Sequence, residues 1–419
     1  MRSREPSSAW RLWPLVALAC GTGWAGYAVH RLVTAPAPAA LVKLVARNAA
    51  PAAASESAAT PIATQPVRAI ETPPAIAAAG QTEICGYGNV ALAQNDPYAL
   101  QGVPAQLREA ALDAADARML ASADARVRAS ALLIGARSRG NGLARIDQLV
   151  RLAVASSDPA IYAIAIEGCK GGAVEGYAAC SLLSRAQWVR LDPDNARPWL
   201  ELAAEAARQK DGAAEDQAMS RAAFARHSDD YAGLLPSLVD RGLGAGASAL
   251  QRTLMLSASW GVQAGWVALH SAQAYEYCAG DSSPARHDTC DALAQTLAYR
   301  SSSLRDLGVG IAIGRALGWD GARLADLQRE YDAIAEASGF QAVGVDLSCE
   351  AVDRVQDWMH QLAASGELVA MREVLSRSGR SIEAWSEQHR RSYEAAVAAV
   401  QAASQAESAQ AQDLAKSAP

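Results

Sequence analysis

The sequence predicts an all-α protein, an α-solenoid or bundle of antiparallel helical hairpins behind a membrane-anchoring N-terminal helix and a disordered linker. Three observations predict it. From about Pro104 to Val400 apolar residues recur at helical spacing, broken by Gly, Pro, Asp and Ser clusters. Few segments alternate with period two, and none of those is followed by a convincing hairpin dipeptide. Alanine supplies much of the 51% hydrophobic content, while phenylalanine stands only at Phe224 and Phe340. Alanine favours helix and close helix approach but buries little area, so the core must lean on Leu, Ile, Val and the tryptophans from Trp188 onward.

The elements follow in order. Residues 1–33 hold Arg2, Arg4 and Arg11 ahead of the apolar run Leu12 to Val29, "LWPLVALACGTGWAGYAV". At helical rise this run nearly crosses a hydrocarbon core, and basic residues before it favour a cytoplasmic N-terminus. A single-pass signal anchor through residues 12–29 is the preferred reading. A signal peptide cut after "APAPAA", with Ala37 and Ala39 as small residues, is a second. A lipid anchor on Cys20 in "ALAC" is a third. Each exports the rest of the chain, which in the first case leaves the folded domain in the periplasm of a bacterial inner-membrane protein. Residues 34–82 hold seven prolines in an Ala/Pro/Thr-rich stretch that cannot bury enough surface to fold, and read as an extended tether.

Residues 83–402 carry the helical domain. "ARIDQLVRLAVA" sets Ile146, Leu149, Val150 and Ala153 on one face. "SSDPAIYAIAI" opens a helix with Asp158 as cap and Pro159 in the first turn. "DARVRASALLIGA", "DGARLADLQREYDAI" and "SCEAVDRVQDWMHQLAA" repeat that logic. Residues 403–419, rich in Ala, Gln and Ser, read as a disordered tail.

One stretch is more specific. In "LDPDNARPWLELAAEA", Leu191 to Ala206, a turn Asp192-Pro193-Asp194-Asn195 precedes a helix with Trp199, Leu202 and Ala203 on a small, apolar stripe. A second helix follows "KDG", Lys210 to Gly212, and places Ala218 and Ala225 about one repeat helix apart. Residues 186–226 resemble one unit of the tetratricopeptide repeat proteins, with Trp199, Leu202 and Ala203 at the family's Trp, Leu and small-residue positions. The resemblance implies stacked helical hairpins that bind a peptide or partner protein. The chain departs from the family in carrying alanine where the first helix has tyrosine, in a longer inter-helix turn, and in lacking a clean 34-residue period.

Beyond Cys20 the cysteines are six: Cys85, Cys169, Cys180, Cys278, Cys290 and Cys349. An even number in an exported chain points to disulfides. Cys169/Cys180 and Cys278/Cys290 each span a helix–loop–helix junction of about a dozen residues, where a bridge contributes roughly 3 kcal/mol in the chain-entropy model. Elimination leaves Cys85 with Cys349. No CxxC or CxxCH occurs, and Cys278, His287 and Cys290 are a weaker metal set than a bridge, so no metal and no cofactor are expected.

The net charge of −6 gives no footprint for nucleic acid. No HExxH, GxSxG or Walker glycine loop is present, and the glycines of "GVGIAIG" follow a helix, so Gly310 and Gly314 are read as helix-packing positions. The expected function is therefore non-catalytic binding of a protein or peptide, with Trp199, Trp260, Trp266 and His270 as a candidate groove. Trp385, Arg390 and Arg391 form an exposed-looking basic helix for docking. A carboxylate-based cell-wall hydrolase on the same scaffold is the alternative, since paired carboxylates leave no local signature.

Overall fold

The computed structural model describes residues 81–91, 99–138, 142–170, 174, 176–266, 269–280, 283–341 and 346–417. These residues are helical almost throughout. The expected anchor at 12–29, its alternatives at Cys20 and Ala39, and the tether up to residue 80 lie outside them. Among the described residues no helix is long and apolar enough to cross a membrane.

The first element is one that helical reasoning overlooked. Strands β1 (Thr82–Ile84) and β2 (Gly88–Val90) pair antiparallel around a tight turn. Gly86 has φ +78°, and a Cβ there would stand 2.1 Å from the backbone nitrogen of Leu250, so only glycine lets the turn lie this close. Ile84 and Val90 cover Val103, Ala111, Leu250 and Leu254 in a small core of their own. "TEICGYGNV" hides this signal because each strand is only three residues long, too short for a period to register.

Sixteen helices follow among the described residues: α1 (Ala105–Leu120), α2 (Ala125–Ser138), α3 (Gly142–Val154), α4 (Pro159–Gly168), α5 (Arg185–Leu191), α6 (Ala196–Gln209), α7 (Gly212–Ala223), α8 (Leu234–Leu243), α9 (Ala249–Ala264), α10 (Leu269–Ala279), α11 (Pro284–Tyr299), α12 (Leu304–Ala316), α13 (Gly321–Gln341), α14 (Cys349–Ser365), α15 (Glu367–Arg377) and α16 (Ile382–Ser417). Helix α3 buries Ile146, Leu149, Val150 and Ala153, the stripe its spacing predicts. Helix α4 starts as read: the Asp158 side chain accepts from the Ala160 amide, and Pro159 occupies the first turn, where its missing N–H costs nothing. Helix α16 differs from the expected tail after residue 402. It runs to Ser417 because Ala, Gln, Glu and Lys are strong helix formers even where no apolar stripe marks them.

Three main cores are laid along the chain. The first joins α1 to α5 with α8 and α9 around Leu133, Ile164 and Trp188. The second joins α6, α7, α10 and α11 around Leu200, Met219 and Leu293. The third sets α12, α13 and α15 against Trp385 of α16. The chain also doubles back: α8 and α9 pack on α1 and α2, and α14 packs on α8. Gly310 lets α12 approach α11, since a Cβ there would meet the Ala298 backbone at 2.7 Å. Gly314 serves another end, making room for the Trp319 ring rather than for a helix.

The six cysteines form the three expected bridges, Cys85–Cys349, Cys169–Cys180 and Cys278–Cys290. The first is reinforced by backbone pairing, the Cys85 amide donating to the Leu347 carbonyl at 2.8 Å.

Candidate functional site

Two arrangements bring chemistry-bearing side chains together, and neither is the groove expected from sequence. His270 is 1% exposed and Trp266 9%, so both are closed off from solvent. Trp266 belongs to the first core, whereas Trp199 packs on the second and donates its Nε1–H to the Pro193 carbonyl at 2.9 Å. Trp260, at 39%, is open. The four do not line one open groove. Trp385 is likewise not an exposed docking residue. It is 5% exposed in the third core, its Nε1–H donates to Ser378 Oγ at 3.1 Å, and the Arg380 guanidinium covers its ring at 4.1 Å. The helix turns Trp385 inward against α13, and a lone aromatic in a basic run carries no mark of which side it faces. Arg390 and Arg391 are exposed, and Arg390 is paired with Glu387 at 2.5 Å.

His270 does take part in the first arrangement, a buried ion network between the first and second cores. Helix α4 carries Glu167 in its last turn, with Lys170 just beyond its end, and α6 presents Arg197 and Glu201 one turn apart. Lys170 Nζ bridges Glu167 Oε1 at 2.8 Å and Glu201 Oε1 at 2.7 Å. Arg197 Nη2 donates to Glu167 Oε1 at 2.7 Å and stands 3.6 Å from Glu201 Oε1. Arg185 Nε lies 3.7 Å from Glu201 Oε2, and His270 Nδ1 lies 3.3 Å from Oε1. Arg137 braces the same corner by donating to the carbonyls of Glu167, Gly168 and Lys170.

Burial works against every charge here, so the partners decide protonation. Burial raises the Glu201 carboxyl, but His270, Lys170 and Arg197 together hold it well below the usual carboxylate range. His270 is pushed down to about 3, first by burial and then by the Arg197 charge, which outweigh Glu201. It is therefore a neutral imidazole at any physiological pH. Glu201 is a charged hub sealed from solvent, suited to joining two cores and unable to meet a substrate.

The second arrangement is open. Four loop segments stack side by side at the starts of α6, α8, α12 and α15. Asn195 pairs with His227 and Ser228 with Ser301 as parallel bridges, and the Leu368 amide donates to the Ser302 carbonyl at 3.0 Å. Over this ribbon lies a cleft of about 360 Å³ walled by His227, Asp229, Tyr231, Ser302, Gly366 and Val369, among others. Carboxylates crowd beneath it. Asp229 Oδ1 accepts from Ser302 Oγ at 2.9 Å and from the Tyr231 amide at 2.9 Å. Asp306 Oδ2 accepts from Ser228 Oγ at 2.5 Å, and Glu367 Oε2 from the Leu304 amide at 2.8 Å. Burial, with Asp230 and Asp306 beside it, pushes Glu367 up to about 7. Burial likewise raises Asp229 and Asp306.

Sequence reading passed over Glu167, Arg197, Glu201, Asp229 and Glu367. A signal existed for Glu167, which closes the apolar run "AIYAIAI" with no polar neighbour before it. For Asp229, Asp306 and Glu367 the local pattern is that of loop and helix-start residues, and only the fold sets them together.

No family model matches the chain, and neither a curated protein nor a solved structure matches it.

Proposed function

We propose that the chain is a non-catalytic helical-repeat protein that binds a protein or peptide segment in the periplasm, tethered to the bacterial inner membrane through residues 12–29. The observation that carries this reading is the cleft over the loop ribbon. One side is made of short side chains, with Ala363, Ala364 and Ser365 exposed and Val369 half open, while His227, Tyr231, Leu234, Arg300 and Leu362 add larger polar and apolar surfaces. Such a surface suits an extended peptide, which takes backbone hydrogen bonds and small apolar contacts rather than a deep pocket. The carboxylates under it already accept from protein donors, as loop-holding groups do. Three disulfides agree with an oxidising compartment. The tetratricopeptide-like reading of 186–226 is supported by the Asn195 cap on α6 and by the close α6–α7 pairing.

A photo-crosslinker at Val369, used in intact cells, tests the reading. A discrete adduct is expected there, absent when the crosslinker stands at exposed Leu143 and lost when Ala364→Trp narrows the cleft. Equal labelling from both positions would show that the cleft is not the binding surface. A second reading, a cell-envelope hydrolase, draws on Glu367, whose carboxyl near 7 suits a general acid. Release of soluble fragments from purified cell wall by the wild type, and not by Glu367→Gln, would turn the assignment to that enzyme.

A further inference from the structure

The buried ion network is held at one corner by a bridge whose two cysteines are both only partly buried. Cys169 caps α4, standing two residues after Glu167 and one before Lys170. Its partner Cys180 sits in a short 3-10 turn, Ala178–Leu182, that packs on α3. Each of the other bridges has at least one buried cysteine. Cys278 and Cys290 are both buried in the second core. Cys349 is exposed at the start of α14, but Cys85 is buried, so attack on Cys349 must expel a thiolate into an apolar site, which raises its cost. At Cys169–Cys180 both residues are partly exposed at the edge of the first core, so neither cysteine is fully enclosed as attack site or leaving group.

What that bridge holds is unusual for a surface staple. Lys170 supplies the shortest contact to the sealed Glu201 carboxylate, and Glu167 is the acceptor for Arg197. Both are carried by the cysteine-centred turn that ends α4. Glu167 belongs to an element of the first core, and Arg197, Glu201 and His270 to elements of the second, so the turn ties the two cores together beside the packing of α5 on α6.

We propose that Cys169–Cys180 is a redox-sensitive latch: its reduction releases Glu167 and Lys170 from Arg197 and Glu201 and uncouples the first helical core from the second. The chemistry is thiol–disulfide exchange with a dithiol reductant. One thiolate of the reductant attacks a cysteine sulfur, and its second thiol resolves the mixed disulfide. The Cys169–Cys180 bond takes up two electrons and two protons to give two thiols, while the reductant is oxidised to its own disulfide. The freed α4 end then frays and Lys170 withdraws, so Glu201 keeps only the longer cation contacts, to Arg197 and Arg185, while Arg197 loses Glu167, which weakens the packing of α6 against α10. The effect is independent of what the cleft binds.

Graded dithiothreitol on the intact folded chain tests this, with differential alkylation read by peptide mapping and amide exchange by mass spectrometry. Cys169 and Cys180 are expected to alkylate first, while Cys278–Cys290 and Cys85–Cys349 remain bridged. At that stage exchange in 196–206 and 269–275 rises about tenfold or more, as for local opening of a cooperative unit. Earlier opening of either other bridge overturns the proposal. So does a rise of less than about tenfold once Cys169 and Cys180 are free. The double variant Cys169→Ala/Cys180→Ala gives a second check: without any reductant it should show the raised exchange of the reduced wild type, and wild-type protection in it counts against the latch.

Discussion

At the scale of single residues the molecule depends most on Glu201. Its carboxylate is sealed off, ionised, and surrounded by Lys170, Arg197, Arg185 and His270. Removing one member of a buried ion pair leaves the others charged and unmatched, which costs about 3–5 kcal/mol. Glu201→Ala leaves Arg197, Lys170 and Arg185 with too little negative charge, so its unfolding free energy should fall by about that amount. Glu205, one turn further on α6, is partly exposed and meets only Arg185, at 3.3 Å, so it is the control, and Glu205→Ala should cost under about 1 kcal/mol. Urea melts of the two variants decide the matter, and equal losses would remove Glu201 from its central place. None of this was legible in the sequence, because "ELAAEAA" presents both glutamates in the same company. Which of them is buried depends on α4 and α10 arriving from elsewhere. Trp385 makes the same point in reverse, since its basic neighbours suggested exposure while tertiary packing turned it inward.

At the scale of elements the sequence was far more readable. Caps and stripes located α3 and α4 because those signals are local: a side chain on its own backbone amide, and a period of 3.6. Cys169/Cys180 and Cys278/Cys290 were readable for the same reason, each flanking one helix junction, whereas Cys85–Cys349, 264 residues apart, followed only by elimination. The strands β1 and β2 were not, since three-residue strands show no period and their stability comes from packing on α9 and from Cys349. The Cys278–Cys290 bridge, with a sequence separation of 12, joins α10 to α11 within the second core. Cys278→Ser/Cys290→Ser should therefore lose about 3 kcal/mol by chain entropy alone, with some further cost from two buried hydroxyls. Guanidinium unfolding of purified protein reads this directly, and a loss below about 1 kcal/mol would mean that packing, not the bridge, holds the hairpin.

At the scale of the whole molecule, loops distant in sequence converge, and the pH dependence of stability follows from what they bring together. Glu367 is raised to about 7 from an ordinary 4.5, so the folded state holds that proton more tightly than the unfolded chain does. Its stabilising effect is complete below 4.5 and is lost as pH rises through 7. His270 acts oppositely. Lowered from 6.5 to about 3, it stays neutral in the fold while the unfolded chain takes a proton, so stability falls as pH drops below 6.5. Glu201, depressed below its ordinary 4.5, contributes stability above that value and loses it as pH falls further. Between 6.5 and 4.5 the Glu367 gain and the His270 loss run against each other and nearly cancel. The melting temperature should thus rise from pH 8 to about 6.5 and hold nearly level to about 4.5. Below that the losses at His270 and Glu201 run against the protons that the raised Asp229 and Asp306 carboxyls take up in the fold. Glu367→Gln removes one side of that balance. Its alkaline limb should flatten, and its melting temperature should decline from about pH 6.5 downward, where the wild type is level. Calorimetric scans of both proteins across this range test the account, and a wild type that weakens steadily from pH 8 to 5 would show that Glu367 does not hold its proton more tightly in the fold.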